Sequence, residues 1–159
     1  MKSPYLKEQR LGDVIAAITV LGTYKFYKLN VGRWSDRISG TALNEQHWQT
    51  VFDEHPEFFR FASDRQKVSL VWRRQFPRNF NVDEEPEEFP DHEIDGLTES
   101  RTSRRPLTPI EVTELIGVAI RLHDRALEQQ KAGTWWIPLA AAGLSFLGAL
   151  IGAYVGKHA

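Results

Sequence analysis

The apolar positions of this chain change period several times, and each change marks a new element. From about Glu8 to Gly22, Leu11, Val14, Ile15, Ile18 and Leu21 fall at helical spacing on one face. That spacing predicts an amphipathic helix closed by Gly22 and Thr23. The run Y-K-F-Y-K-L-N-V (24–31) then alternates aromatic and basic residues, which suits a short strand with Tyr24 and Phe26 on one side. W-S-D-R-I-S-G (34–40) predicts a short helix capped by Ser35 and stopped by Gly40. Thr41 or Asn44 can cap a third helix through Trp48, Val51 and Phe52. It should end before His55-Pro56, because a proline disfavours helix at the residue before it.

After Pro56 the helical period gives way to alternation. Phe59 and Phe61 face one way in F-F-R-F, and Val68, Leu70 and Trp72 do so in V-S-L-V-W-R-R. The polar run A-S-D-R-Q-K between them predicts a hairpin with an exposed tip. Helix, strand, helix, helix, hairpin is the order of a winged-helix domain. The expected class is therefore α+β, with a small winged-helix-like head over residues 5–78. A three-helix bundle with an irregular tail is the rival.

Residues 79–107, with Pro86, Pro90, Pro106 and few apolar side chains, read as an acidic linker. T-P-I-E at 108–111 is a helix start: Thr108 as cap, Pro109 at the first helical position and Glu111 at the third. The amphipathic helix that follows is expected over residues 108–131. Val112, Leu115, Ala119, Leu122 and Ala126 form its apolar stripe, which suits either a short coiled coil or packing onto the head.

The largest change comes last. Trp135 to Val155 contains no charged residue, and its 21 positions make a helix about 31 Å long, the thickness of a bilayer's hydrocarbon core. Trp135 and Trp136 at one end and Tyr154 at the other suit the two headgroup regions. Pro138 falls in the first turn, where its missing N–H breaks no hydrogen bond. A single-pass transmembrane helix is expected at 135–155, with the lipid bilayer as its partner. Within it Gly148, Gly152 and Gly156 form G-x-x-x-G-x-x-x-G, beside a second small-residue ridge of Ala141, Ser145, Ala149 and Ala153. Such ridges let helix backbones approach closely in lipid, so a homo-oligomer is expected.

Net charge is −1 over 159 residues, but its distribution is uneven. Residues 1–79 carry +5, residues 80–100 carry −9 with no Lys or Arg, and residues 101–159 carry +3. The absence of cysteine removes disulfides, thiol catalysis and thiolate metal sites. The first ten residues lack the apolar core of a signal peptide, so the head is expected in the cytoplasm. Arg121, Arg125 and Lys131 before the span, against Lys157 after it, favour the same orientation.

No arrangement of residues points to catalysis. The histidines at 47, 55, 92, 123 and 158 show no H-x-x-x-H spacing, and D-E-E-P-E-E lacks the alternating oxygens and glycine of a calcium loop. G-x-S-x-G, S-x-x-K and glycine-rich phosphate loops are absent. No enzyme, cofactor or metal is expected. Nucleic acid is disfavoured as well, because the third helix has no Lys or Arg and three acidic residues. The hairpin is the basic element: Arg60, Arg65, Lys67, Arg73 and Arg74 are its candidate contacts to an unidentified cytoplasmic protein.

H-P-E-F-F-R-F (55–61), V-S-L-V-W-R-R-Q (68–75) and W-W-I-P-L (135–139) resemble a family of small, uncharacterised bacterial membrane-anchored proteins. The resemblance implies a bacterial inner membrane as the location. Members are sometimes labelled N-carbamoyl-L-amino acid hydrolase, but enzymes of that name resemble large two-metal amidohydrolases. Neither their length nor their His/Asp/Glu ligands are present. The expected function is a non-enzymatic, tail-anchored adaptor or scaffold. The alternatives are a membrane-bound winged-helix DNA-binding regulator and a small oligomeric membrane effector.

Overall fold

A computed structural model describes residues 3–82 and 102–132. The expected span at 135–155, its Gly148, Gly152 and Gly156, and the acidic stretch 83–101 lie outside the described residues. Among the described residues, no helix is long and apolar enough to cross a membrane.

The architecture is mixed α+β, and the first elements follow the expected order. Helix α1 (Arg10–Thr23) buries Val14, Ala17, Ile18 and Leu21, a stripe spaced by three and four. Strand β1 is confined to Lys28–Asn30. Tyr24 and Phe26 precede it in the loop, with ring centroids 6.0 Å apart, half-buried against the core.

Helix α2 (Val31–Ser39) begins at Val31, so Ser35 is not its cap. Ser35 lies buried inside the helix and donates its hydroxyl to the Thr41 carbonyl at 2.7 Å. The early start places Val31 and Trp34 one turn apart, both in the core, with the Trp34 indole N–H on the Val68 carbonyl at 3.0 Å. Gly40 ends α2 as expected, at φ 71°, donating to the Asp36 carbonyl at 2.8 Å. Thr41 caps a 3-10 turn (Ala42–Asn44) that leads into α3 (Glu45–Glu54), and α3 stops at His55. Trp48, Val51 and Phe52 are its buried face.

Strands β2 (Phe59–Phe61) and β3 (Lys67–Leu70) form the hairpin, and β1 adds to the other edge of β3. The antiparallel sheet has the order β1-β3-β2, with Leu29 opposite Val68 and Arg60 opposite Ser69. β3 ends at Leu70 rather than continuing through Trp72. A 3-10 turn (Trp72–Gln75) follows, and its rotation reverses the expected alternation: Trp72 is 40% exposed and Arg73 is 0% exposed.

The described ends of the acidic stretch belong to the fold. Strands β4 (Phe80–Asn81) and β5 (Thr102–Ser103) pair antiparallel, joining the two sides of residues 83–101 at their roots. Leu107 is buried beyond them and donates its N–H to the Gly22 carbonyl at 2.8 Å. Helix α4 (Pro109–Ala132) starts with the expected reciprocal cap, Glu111 Oε2 taking the Thr108 N–H at 2.8 Å and Thr108 Oγ1 taking the Glu111 N–H at 3.3 Å. Its stripe of Val112, Leu115, Ala119 and Ala126 is buried, with Leu122 half-buried beside it. α4 runs antiparallel to α1. A Cβ on Gly22 would lie 3.4 Å from Val112, and the His123 ring meets the Tyr5 carbonyl at 2.9 Å near the other end. Of the two readings of the stripe, the structure takes packing onto the head.

Candidate partner-binding surface

The five basic residues expected on the hairpin separate once the chain is folded. Arg60 is exposed on β2, because alternation turns it away from buried Phe59 and half-buried Phe61. Arg65 sits in the tip, where Ala62 takes the Arg65 N–H at 2.9 Å and Asp64 Oδ1 takes the Gln66 N–H at 3.0 Å. This tight turn puts Arg65 at φ 56°, a left-handed conformation that costs a non-glycine residue about 1 kcal/mol. Its side chain is held from two sides: Nη2 reaches Asp53 on α3 at 2.5 Å, and the guanidinium lies 4.9 Å from the Phe61 ring centroid. Arg65 therefore ties the hairpin tip to α3.

Lys67 is half-buried at the start of β3, opposite Asn30. Arg74 is exposed in the turn beyond the far end of the same strand. Arg73 leaves this surface altogether. Its guanidinium donates to main-chain carbonyls: Nε to Arg105 at 3.1 Å, and Nη1 to Leu21 at 2.9 Å and Tyr24 at 2.6 Å, with longer contacts to Phe26 and Lys25. Burial first, and the nearby Arg105 charge second, bring its pKa down to about 10, so it stays charged at neutral pH. Leu21 belongs to the last turn of α1, where the helix dipole favours a cation. Arg73 is a core clip joining α1, the loop to β1 and the strand-to-helix connection before α4.

Between α3 and the hairpin lies a groove of about 510 Å3, lined by Phe52, Asp53, Pro56, Phe59, Arg60, Phe61, Ala62 and Arg65. Its volume suits a few side chains of a partner peptide. The floor is aromatic, with the Phe52 and Phe59 centroids 4.9 Å apart. Arg60 makes no ion pair among the described residues, whereas Arg65 is partly neutralised by Asp53. The α3 face carries Glu45, Gln46 and Asp53 exposed, so the basic character of this surface comes from the hairpin alone.

A second polar cluster was not legible from spacing. Fully buried His55 places Nδ1 3.1 Å from Glu57 Oε1, and the Tyr5 hydroxyl donates to the same oxygen. Burial alone would raise the Glu57 carboxyl, but hydrogen bonds from His55 and Tyr5 outweigh it and hold it below the ordinary carboxylate value. Burial, then the Glu57 hydrogen bond and charge, push the Tyr5 phenol well above its usual range. His123 meets the Tyr5 carbonyl, so the cluster joins the N-terminal turn, the end of α3 and α4. Its sequence signal was H-P-E together with a tyrosine 50 residues earlier than His55, which no local motif connects. Among the described residues, no group of three or more His, Asp or Glu could hold a metal ion. Comparison with protein-family models, curated proteins and solved structures finds no match for this chain.

Proposed function

We propose that the chain is a non-enzymatic, membrane-anchored adaptor. Residues 5–78 act as a winged-helix-like head that binds a cytoplasmic protein, and residues 135–155 act as its single-pass anchor in a bacterial inner membrane. The element order and the sheet order β1-β3-β2 support the first part. One observation carries the binding role: a groove between α3 and the hairpin whose lining combines Phe52, Phe59 and Phe61 with Arg60 and Arg65. The partner segment it fits is apolar at one or two positions and acidic beside them. Anchoring concentrates that partner at the membrane surface.

Duplex DNA fits this surface poorly, because the helix that would enter the major groove exposes no Lys or Arg. The Gly148, Gly152 and Gly156 ridge supports self-association of the anchor. Affinity capture of the full chain in mild detergent, compared with a variant carrying Arg60→Glu, Arg65→Glu and Arg74→Glu, tests the binding role. Loss of the same partners from the variant is expected, and identical partner sets overturn it. In a membrane reporter assay Gly152→Ile should lower oligomerisation and Gly152→Ala should do so much less. An unchanged signal for Gly152→Ile removes the oligomer from the proposal.

A further inference from the structure

A second basic surface lies beside the paired strands β4 and β5, which flank residues 83–101 in sequence. Arg78 precedes β4 by two residues and Arg104 directly follows β5. Both guanidiniums pack on the Tyr27 ring, at 5.2 and 5.1 Å from its centroid. Arg78 Nε also donates to the Tyr27 hydroxyl at 3.0 Å, and the Tyr27 N–H donates to Ser103 Oγ at 3.1 Å. Lys28, next in sequence, adds a third cation. Burial alone would raise the Tyr27 phenol, but Arg78 first, then Arg104 and Lys28, outweigh it and lower it, which reports the positive potential here.

This positive charge is uncompensated within the described fold. No ion pair among the described residues involves Lys28, Arg78 or Arg104. Arg104 Nε is buried and has no hydrogen-bond partner there. A buried donor of a charged group without an acceptor calls for an anionic or polar occupant.

We propose that this surface binds the carboxylates of the chain's own residues 83–99. Charge and tether length both select that occupant. The segment carries nine Asp/Glu and no Lys or Arg. Asp83, Glu84 and Glu85 directly follow Val82, and Glu99 lies three residues before Thr102. At about 3.8 Å between successive Cα atoms, Glu85 cannot lie more than about 15 Å from Asn81, nor Glu99 more than about 11 Å from Thr102, the ends of the strand pair. A partner held so close competes at an effective concentration in the millimolar range, which a separate acidic protein rarely matches. The surface thereby offsets the self-repulsion of the acidic stretch and leaves the groove beside α3 for another protein.

Zero-length carbodiimide cross-linking of the full chain in mild detergent tests this. The reagent activates a carboxylate, and a lysine amine within contact distance displaces it to form an amide. Lys28 is the reporter, and the Lys7–Glu54 ion pair is an internal positive control. Residues 80–100 contain no Lys or Arg, so trypsin releases the segment whole. An amide between Lys28 and residues 83–99 within one chain is expected, at a yield several-fold lower in Arg78→Gln. Raising the salt to about 1 M shortens the Debye length to about 3 Å and should lower the yield similarly. The inference is overturned if Lys7 links to Glu54 while Lys28 does not link to the segment. It is equally overturned if mixed isotope-labelled and unlabelled chains show the Lys28 link only between copies.

Discussion

Arg73 Nη1 donates to the carbonyl of Leu21, 52 residues earlier in the chain, at 2.9 Å. The same guanidinium serves Tyr24 and Arg105, so one side chain closes three segments. Arg73→Met removes the donors and leaves those buried carbonyls unpaired, at a cost of about 3 kcal/mol in denaturant unfolding. Arg73→Lys keeps the charge without the fork and should recover only part of that loss. Neither effect should change much with salt, because the group is buried. A destabilisation under about 0.5 kcal/mol for Arg73→Met would remove the clip from the account.

That residue also marks the limit of what spacing reveals. Helical and alternating periods located α1, α3, the hairpin, Gly40 and the Thr108 cap, because each is decided within a few neighbouring residues. Arg73 reads as one of the hairpin's basic contact candidates, but the strand stops at Leu70. A four-residue 3-10 turn rotates it inward, and its acceptors are main-chain carbonyls, which carry no sequence signal. The Tyr5–His55–Glu57 cluster and the β4–β5 pair escape for the same reason, being long-range. The groove is half legible: its basic residues, Arg60 and Arg65, can be read from the sequence, and its aromatic floor emerges only when α3 meets β2.

Arg65 separates folding from binding. Glycine relieves the left-handed backbone at this position but loses the Asp53 ion pair and the Phe61 stack, two exposed contacts worth about 0.5 kcal/mol each. Arg65→Gly should therefore stay within about 1 kcal/mol of wild type in stability while weakening partner capture. Arg65→Val keeps neither contact and puts a β-branched residue at positive φ, so it should cost at least about 1 kcal/mol more than Arg65→Gly. Equal stabilities for the two variants would show that the tip does not hold that conformation in solution.

Glu111 predicts a particular acid sensitivity. Its hydrogen bond from Arg105 first, and the Thr108 N–H second, hold its pKa at about 2. A carboxyl depressed by folding stabilises above its unfolded value and loses that contribution as pH falls toward the folded one. Between about pH 4.5 and 2 the wild-type Tm should thus fall more steeply than that of Glu111→Gln, with the difference confined to that window. Parallel Tm curves through it would mean that the Arg105–Glu111 pair and the cap contribute nothing.

The docking of α4 can be tested from either side of its contact with α1. Ala119 has no exposed surface, so Ala119→Glu buries an unpaired carboxylate and should cost about 3 kcal/mol or more. Gly22 approaches from α1: a Cβ there would lie 3.3 Å from Leu107 and 3.4 Å from Val112, so the larger side chain of Gly22→Val must push these two side chains aside. Hydrogen exchange reads the result, with amides of residues 112–126 expected to be protected together with α1 in wild type and to lose protection in both variants. If the stripe instead zipped two copies together, Ala119→Glu would split the oligomer, and Gly22→Val, which lies off the stripe, would leave α4 protected. The pair of variants therefore distinguishes a helix packed on its own head from one shared between chains, whatever the anchor does.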